Sequence, residues 1–181
     1  MKEITFYGRG GQGAVVASEI LAEAYFKEGY HVQSFPSFGV ERRGAPVTAF
    51  LRIDREFIYL RSMIYKADMA IVLSPDIVNS PTFGPSLKND AVILVNSREK
   101  MTDLSKYRSF FMDATAIALD HELGSSAQPL VNTALLGGVA KISGDLSLDN
   151  MLKAIEELVP QKTEQNIQAA RKAYESVVGF E

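Results

Sequence analysis

Gly8-Arg9-Gly10-Gly11-Gln12-Gly13 is the stretch of this chain best suited to chemistry, because it stands between an apolar strand-like run, Ile4 to Tyr7, and a helical pattern beginning at Ala14. Glycine has no Cβ and tolerates positive φ, so the backbone can turn sharply there and leave the N–H groups of a helix N-terminus facing an approaching anion. A phosphate is the natural guest of such a corner. Two readings stay open: the glycines contact a phosphate ligand, or they only close a tight turn. A second cationic feature follows, since Arg42, Arg43, Arg52, Arg55 and Arg61 fall in one segment of an otherwise acidic chain. They read either as an anion- or partner-binding patch or as the solvated face of a hairpin with a few ion pairs.

A dinucleotide site asks for more than glycines. An Asp or Glu that binds the ribose should follow about 20 residues later, but that region holds His31, Gln33 and Ser34, and Glu41 comes too late. No other catalytic constellation is complete. The chain has no cysteine, which excludes thiolate ligation of an iron–sulfur cluster, disulfides and a thiol nucleophile, and leaves any redox metal to a partner. His31 and His121 are the only histidines and lie far apart in sequence, so each reads as a surface or core residue rather than a general base. A G-x-S-x-G elbow, a Walker motif and a His-rich metal signature are all missing. Neither a catalytic residue nor a metal ligand is assigned, and the chain reads as a component rather than a whole enzyme.

The elements that must position the corner follow from periodicity. Ala14 to Glu28 is apolar nearly all round with a thin polar stripe at Glu19, Glu23 and Lys27, the pattern of a largely buried helix, and Gly29 stands where a helix C-terminus wants glycine. Tyr30 to Phe35 reads as a second strand, completing a strand–helix–strand unit of the kind that sets parallel strands side by side. Val47 to Ile53 alternates and leads through Asp54-Arg55-Glu56 into Phe57 to Leu60, which reads as a β-hairpin. Met69 to Leu73 and Ala91 to Val95 are short continuous apolar runs typical of strands covered on both faces, and Phe110 to Met112 gives one more. Asp113 or Thr115 can cap a helix reaching about Leu123, and Gly124 to Pro129 reads as a loop. Val131 to Ile142 reads as a helix that carries Gly137 and Gly138, a pair that disfavours helix by roughly 1 to 2 kcal/mol. Either another backbone or a partner chain approaches closely there, or the helix ends early. Ser147 can cap a helix over Leu148 to Val159, and Thr163 another to Val178. The expected fold is therefore α/β: one Rossmann-like three-layer domain over 1–181, with a mostly parallel sheet, a β-hairpin insertion and C-terminal helices covering one face.

Composition bounds the partners. A formal charge of −3 and a pI near 5.5 argue against general nucleic-acid binding. No apolar run approaches the roughly 20 residues needed to cross a bilayer, and the start, Met1-Lys2-Glu3, leads into a strand without an apolar leader. The expectation is a cytoplasmic protein that binds neither nucleic acid nor membrane.

Three blocks in order carry a family resemblance: the glycine run 8–13; Phe35-Pro36-Ser37-Phe38-Gly39-Val40-Glu41-Arg42-Arg43-Gly44-Ala45-Pro46 leading into Ala49-Phe50-Leu51-Arg52-Ile53; and Asn132-Thr133-Ala134-Leu135-Leu136-Gly137-Gly138. Together they resemble the gamma subunit of 2-oxoacid:ferredoxin oxidoreductases over nearly the whole chain. Arg43-Gly44-Ala45-Pro46 and the later Ala173-Tyr174-Glu175 are similar to the pyruvate type rather than the 2-oxoglutarate type, while Ala134 departs from the Pro or Met frequent in the family. The resemblance implies a complex that oxidatively decarboxylates a 2-oxoacid with coenzyme A to acyl-CoA, carbon dioxide and reduced ferredoxin. It implies alpha, beta and delta partner subunits that carry thiamine diphosphate, magnesium and the iron–sulfur clusters, with ferredoxin or flavodoxin reached through the complex. On this chain it implies no firm cofactor but possible coenzyme A contact by Gly8, Arg9, Gly10, Gly11, Gln12, Gly13, Arg42 and Arg43. Phe38, Gly39, Glu41, Gly44, Asn132 and Gly137 would shape an interface. A freestanding NAD or FAD oxidoreductase and a purely structural assembly module are the alternatives, as are subunits specific for 2-oxoisovalerate, 2-oxoglutarate or indolepyruvate.

Overall fold

The computed structural model describes residues 1–37 and 45–179. Its backbone is one seven-stranded mixed sheet plus a small two-stranded ribbon. Strand β1 (Lys2–Arg9) is followed by helix α1 (Ala14–Lys27) and strand β2 (His31–Pro36), then by β3 (Pro46–Asp54), β4 (Ala67–Val72), β5 (Leu87–Asn96) and β6 (Arg108–Met112). Helix α2 (Ala114–Asp120), the ribbon strands β7 (Gly124–Ser125) and β8 (Gln128–Pro129), helices α3 (Asn132–Ser143), α4 (Leu148–Leu158) and α5 (Thr163–Ser176), and a short β9 (Val178–Gly179) complete the order.

The sheet order is β2-β3-β1-β4-β5-β6-β9. The parallel core runs β1, β4, β5, β6, in register from Ile4↔Met69 through Val92↔Arg108. β1 and β2 point the same way, as a strand–helix–strand unit requires, but they do not touch. β3 is inserted between them, antiparallel to both, with Thr5↔Phe50 on one side and Phe35↔Phe50 on the other. This insertion corrects the expected hairpin over 47–60: both edges of β3 are already occupied, so Phe57 to Leu60 has no edge to join and leaves the sheet. Ile58 and Ile64 anchor this segment in the core while Phe57, Tyr59 and Tyr65 stay exposed.

Helices cover one face of the sheet. Ile4, Phe6, Leu51, Met69, Ile71 and Leu94 point into a core shared with α1, α3, α4 and α5. The opposite layer is built from loops and 3-10 turns, with Phe83 and Leu104 closing over Tyr7, Ala70, Val72 and Ile93, joined by Leu87 at the start of β5. The helix ends follow local rules. Gly29 at φ 81° ends α1, the Asp113 carboxylate accepts the Ala116 N–H at 2.8 Å, and Ser147 Oγ accepts the Asn150 N–H at 3.2 Å.

α3 runs uninterrupted through Gly137 and Gly138, and the reason lies in packing. A Cβ on Gly137 would stand 2.0 Å from the Ala170 carbonyl oxygen of α5. The close-approaching backbone here is the chain's own, that of α5. Small residues on α5 (Ala169, Ala170, Ala173) meet it, and Asn166, 6% exposed, accepts the Thr133 hydroxyl at 2.7 Å. No helix among the described residues is long and apolar enough to cross a membrane.

Candidate functional site at the carboxyl end of the sheet

The glycine corner forms where β1 ends beside β3. Gly8 pairs with Val47 and Arg9 with Pro46, and the Gly10 N–H reaches the Ala45 carbonyl at 2.9 Å. The chain then turns through Gly11 at φ 96° and Gly13 at φ 79°, a left-handed backbone that glycine alone adopts without strain. Gln12 braces the turn from inside: its Oε1 accepts the Arg9 N–H at 2.8 Å and its own N–H bonds the Arg9 carbonyl at 3.0 Å. Gly13 stands at the N-cap of α1, with no side-chain cap and no acidic residue in the first turn. The positive end of α1 therefore opens at this corner.

Two side chains pack onto the corner from later in the chain. Gln128 Nε2 donates to the Gly11 carbonyl at 3.2 Å, and a Cβ on Gly11 would stand 2.2 Å from that nitrogen. A Cβ on Gly13 would meet Asn132 Nδ2 at 2.6 Å. The first and third blocks of the sequence thus come together, and Asn132, expected at an interface, lies against the corner itself.

Two clefts flank Arg9. On the helix side a hollow of about 270 Å³ is lined by the glycines, Val16 and Val47. On the other side a cleft of about 370 Å³ is lined by Tyr7, Arg9, Thr48, Asp76, Ile77 and Phe83. This second cleft sits where neighbouring parallel strands part company: after β1 the chain crosses to the helical face, whereas after β4 it turns through a 3-10 segment, Pro75–Asn79, onto the other. Open α/β sheets bind ligands at such a divergence beyond the carboxyl ends of the strands.

Electrostatics concentrate on one ion pair. The Arg9 guanidinium bonds the Asp76 carboxylate, which also accepts the Ser74 hydroxyl at 2.7 Å. The arginine and then the serine hold the Asp76 carboxyl below its ordinary range, and the aspartate in turn raises Arg9. Behind the pair, Tyr7 OH and Ser86 Oγ lie 2.6 Å apart and the Tyr7 ring meets Phe83 edge-on at 5.1 Å. Burial pushes the Tyr7 phenol upward. Asn96, at the end of β5, donates to the Leu73 carbonyl at 3.0 Å and ties β4 to Thr115 of α2, fixing the floor of this edge.

The described arginines of the cationic segment each have their own setting. Arg52 is 1% exposed and bonds Glu3 at 2.9 Å and Gln33 at 3.1 Å. Arg55 lies over the Tyr30 ring at 3.7 Å and reaches the Glu28 carbonyl, while Arg61 sits by Gln33 and Phe35. Alternating pattern reads the same whether a strand's second face meets water or more protein, and here both faces of β3 are covered. Phe38, Gly39, Glu41, Arg42, Arg43 and Gly44 lie outside the described residues. Asp76 and Gln128 were not singled out in sequence. The Ser74-Pro75-Asp76 turn marks the end of an apolar run, but only the sheet order puts that end beside β1, and nothing in the sequence marks Gln128. His31 is exposed and its ring meets Phe57; His121 is bonded to its own helix at the Ile117 carbonyl. Among the described residues no three His, Asp or Glu side chains gather as metal ligands do.

Comparison with known proteins bears on this arrangement. The pyruvate ferredoxin/flavodoxin oxidoreductase family pattern matches residues 3–176. The chain is 45% identical to the pyruvate/ketoisovalerate oxidoreductases common subunit gamma of Pyrococcus furiosus, over 100% of both chains. It is 46% identical to the pyruvate synthase subunit PorC of Methanothermobacter marburgensis, over 98% of each. The crystal structure of the pyruvate oxidoreductase subunit PORC of Thermotoga maritima superposes with a TM-score of 0.83 at 33% identity, covering 100% of each chain.

Proposed function

The chain belongs to the pyruvate ferredoxin/flavodoxin oxidoreductase family, and from this we infer that it is the gamma subunit of a cytoplasmic complex that oxidises pyruvate, or a related branched 2-oxoacid, with coenzyme A. The complex yields acyl-CoA, carbon dioxide and reduced ferredoxin or flavodoxin. Thiamine diphosphate, magnesium and the iron–sulfur clusters sit on alpha, beta and delta subunits. The absence of cysteine here fits that division, since no thiolate is present to hold a cluster. The whole chain acts as one gamma domain, a reading supported by a sheet that draws strands from Lys2 to Gly179.

Within the complex the glycine corner receives the phosphates of coenzyme A. The observation that carries this is the open N-terminus of α1: two left-handed glycines turn its backbone outward with no side-chain cap, and Arg9 stands beside it. Thermal unfolding of the purified complex with and without coenzyme A tests the assignment. Binding at 100 times the dissociation constant stabilises by roughly 2.7 kcal/mol, and this increment should vanish when Gly13 is replaced by Asp. An increment that survives that replacement would remove the corner from coenzyme A binding.

One observation favours a second reading, in which the corner serves assembly of the fold alone. Gln128 and Asn132 already fill the space beside Gly11 and Gly13, which is reason enough for glycine at both positions. On that reading Gly13→Asp lowers the melting temperature of the complex equally with and without coenzyme A.

A further inference from the structure

We propose that residues 55–66, the link between β3 and β4, form a docking surface for a partner subunit of the complex, one that presents an apolar patch rimmed by carboxylates. The inference rests on the subunit reading above and goes beyond it, because it concerns where this chain is held and not what meets the glycine corner.

The segment has no regular secondary structure, and every residue in it except Ile58 and Ile64 is exposed. It starts at the head of β2, where His31 pairs with Asp54, and returns to the sheet at Ala67 of β4. Five large apolar side chains, Phe57, Tyr59, Leu60, Met63 and Tyr65, lie exposed within nine positions. Single exposed apolar residues are ordinary on a protein surface, but a run of them marks a contact surface. Phe57, Tyr59 and Tyr65 are 58%, 82% and 74% exposed. At about 200 Å² per aromatic side chain these three alone offer roughly 400 Å², about half of what one side of a standard protein–protein interface buries.

The surface is built before any partner arrives. Ile58 and Ile64 root the segment in the core, and Gln33 Nε2 donates to the Leu60 carbonyl at 3.0 Å. The Phe57 ring meets His31 at 5.9 Å and Tyr59 at 4.8 Å, so three rings stand edge to face in a row. Rings held in this way lose little conformational entropy when a partner covers them.

Charge selects the occupant. Arg55, Arg61 and Lys66 stand in the segment against the single carboxylate of Glu56, on a chain whose formal charge is −3. Arg61 and Lys66 have no carboxylate partner among the described residues. Two copies meeting face to face through this surface would set cations against cations, so a second copy of the chain fits poorly. An acidic rim on a different subunit fits well: it neutralises these cations while the aromatic rings are buried.

Hydroxyl-radical footprinting read by mass spectrometry tests this on the full chain, alone and within the purified complex. Labelling of Tyr59, Met63 and Tyr65 should fall about fivefold or more on assembly, as for side chains at the buried centre of an interface. Tyr59→Ser combined with Tyr65→Ser should speed release of the chain from the diluted complex about tenfold or more, with its own melting temperature unchanged. Arg61→Glu should weaken retention of the chain in the complex at low salt, and less so at high salt. Should a variant fail to fold, the footprint of the parent chain decides alone. A complex in which these side chains react as they do in the free chain overturns the proposal, whether or not another protein later covers them. Protection that appears in the chain alone and grows with its concentration, alongside a dimer in sedimentation, assigns the surface to a second copy and equally overturns it. A chain that joins no other subunit refutes the subunit reading as well, whereas unprotected rings within an intact complex refute the docking surface by itself.

Discussion

Replacing Gly137 by Ala is expected to destabilise the protein, although alanine is the better helix former. The added Cβ would stand 2.0 Å from the Ala170 carbonyl oxygen, 2.7 Å from its carbon and 2.8 Å from its Cα. All three are backbone atoms of α5, so no side chain can swing aside and α5 must retreat by about 1 Å. Overpacking of this kind costs up to about 3 kcal/mol, and the gain in helix propensity returns about 1 kcal/mol. The net loss of about 2 kcal/mol corresponds to a fall of about 4–8 °C in melting temperature for a chain of this size. Differential scanning calorimetry of the parent and variant chains measures it directly. A variant as stable as the parent, but unable to assemble with partner subunits, would refute intramolecular packing as the reason for this glycine and restore the interface reading.

Other expectations concern the strand and helix junctions. Glu3→Ala should cost about 3 kcal/mol in urea unfolding because it strands the buried Arg52. The pair Glu3→Leu with Arg52→Met should cost less than Glu3→Ala alone, and strictly additive losses would argue that the two residues are not coupled. Glu28 accepts both the N–H, at 2.8 Å, and the hydroxyl, at 2.6 Å, of Ser147, and the hydroxyl bond first and the N–H second hold its carboxyl below the ordinary 4.5. Its folded-state value being depressed, that stabilisation is complete above pH 4.5 and is lost as pH falls through the lower folded value. A Glu28→Gln variant should show a shallower loss of stability on acidification, and identical acid profiles would dismiss the contact. Ser147→Ala, which also removes the cap of α4, should cost about 1 kcal/mol by the same unfolding measurement.

Much of the fold was legible because the cues are local. The apolar runs at Met69 to Leu73 and Ala91 to Val95 became β4 and the end of β5, Asp113 and Ser147 cap the helices that follow them, and Gly29 ends α1. The failures share a cause, which is distance along the chain. Nothing near Val47 to Ile53 says that its partners are Lys2 to Arg9 and His31 to Pro36, so a nearby hairpin is the natural reading and no local cue pairs Arg52 with Glu3. The first four residues of β5 and the whole of β9 were missed for a similar reason. Leu87 pairs with Ala67 across a register shift, and β9 exists only because β6 offers a free edge. At the site, strand, glycines and helix were readable as one unit, whereas Asp76 and Gln128 join it only once the sheet and the ribbon are assembled.

The wedging of β3 between β1 and β2 constrains how the polypeptide can acquire its shape. With one strand missing, β1 and β2 stand about 10 Å apart, twice the normal interstrand spacing, and neither has a neighbour on that side. The segment from β1 through β2, residues 2–36, therefore cannot complete its own layer as it leaves the ribosome. It must hold an open slot until residues 46–54 arrive, and the same late arrival brings the Ala45 carbonyl that anchors Gly10. Closure of the sheet and formation of the glycine corner are thus a single event.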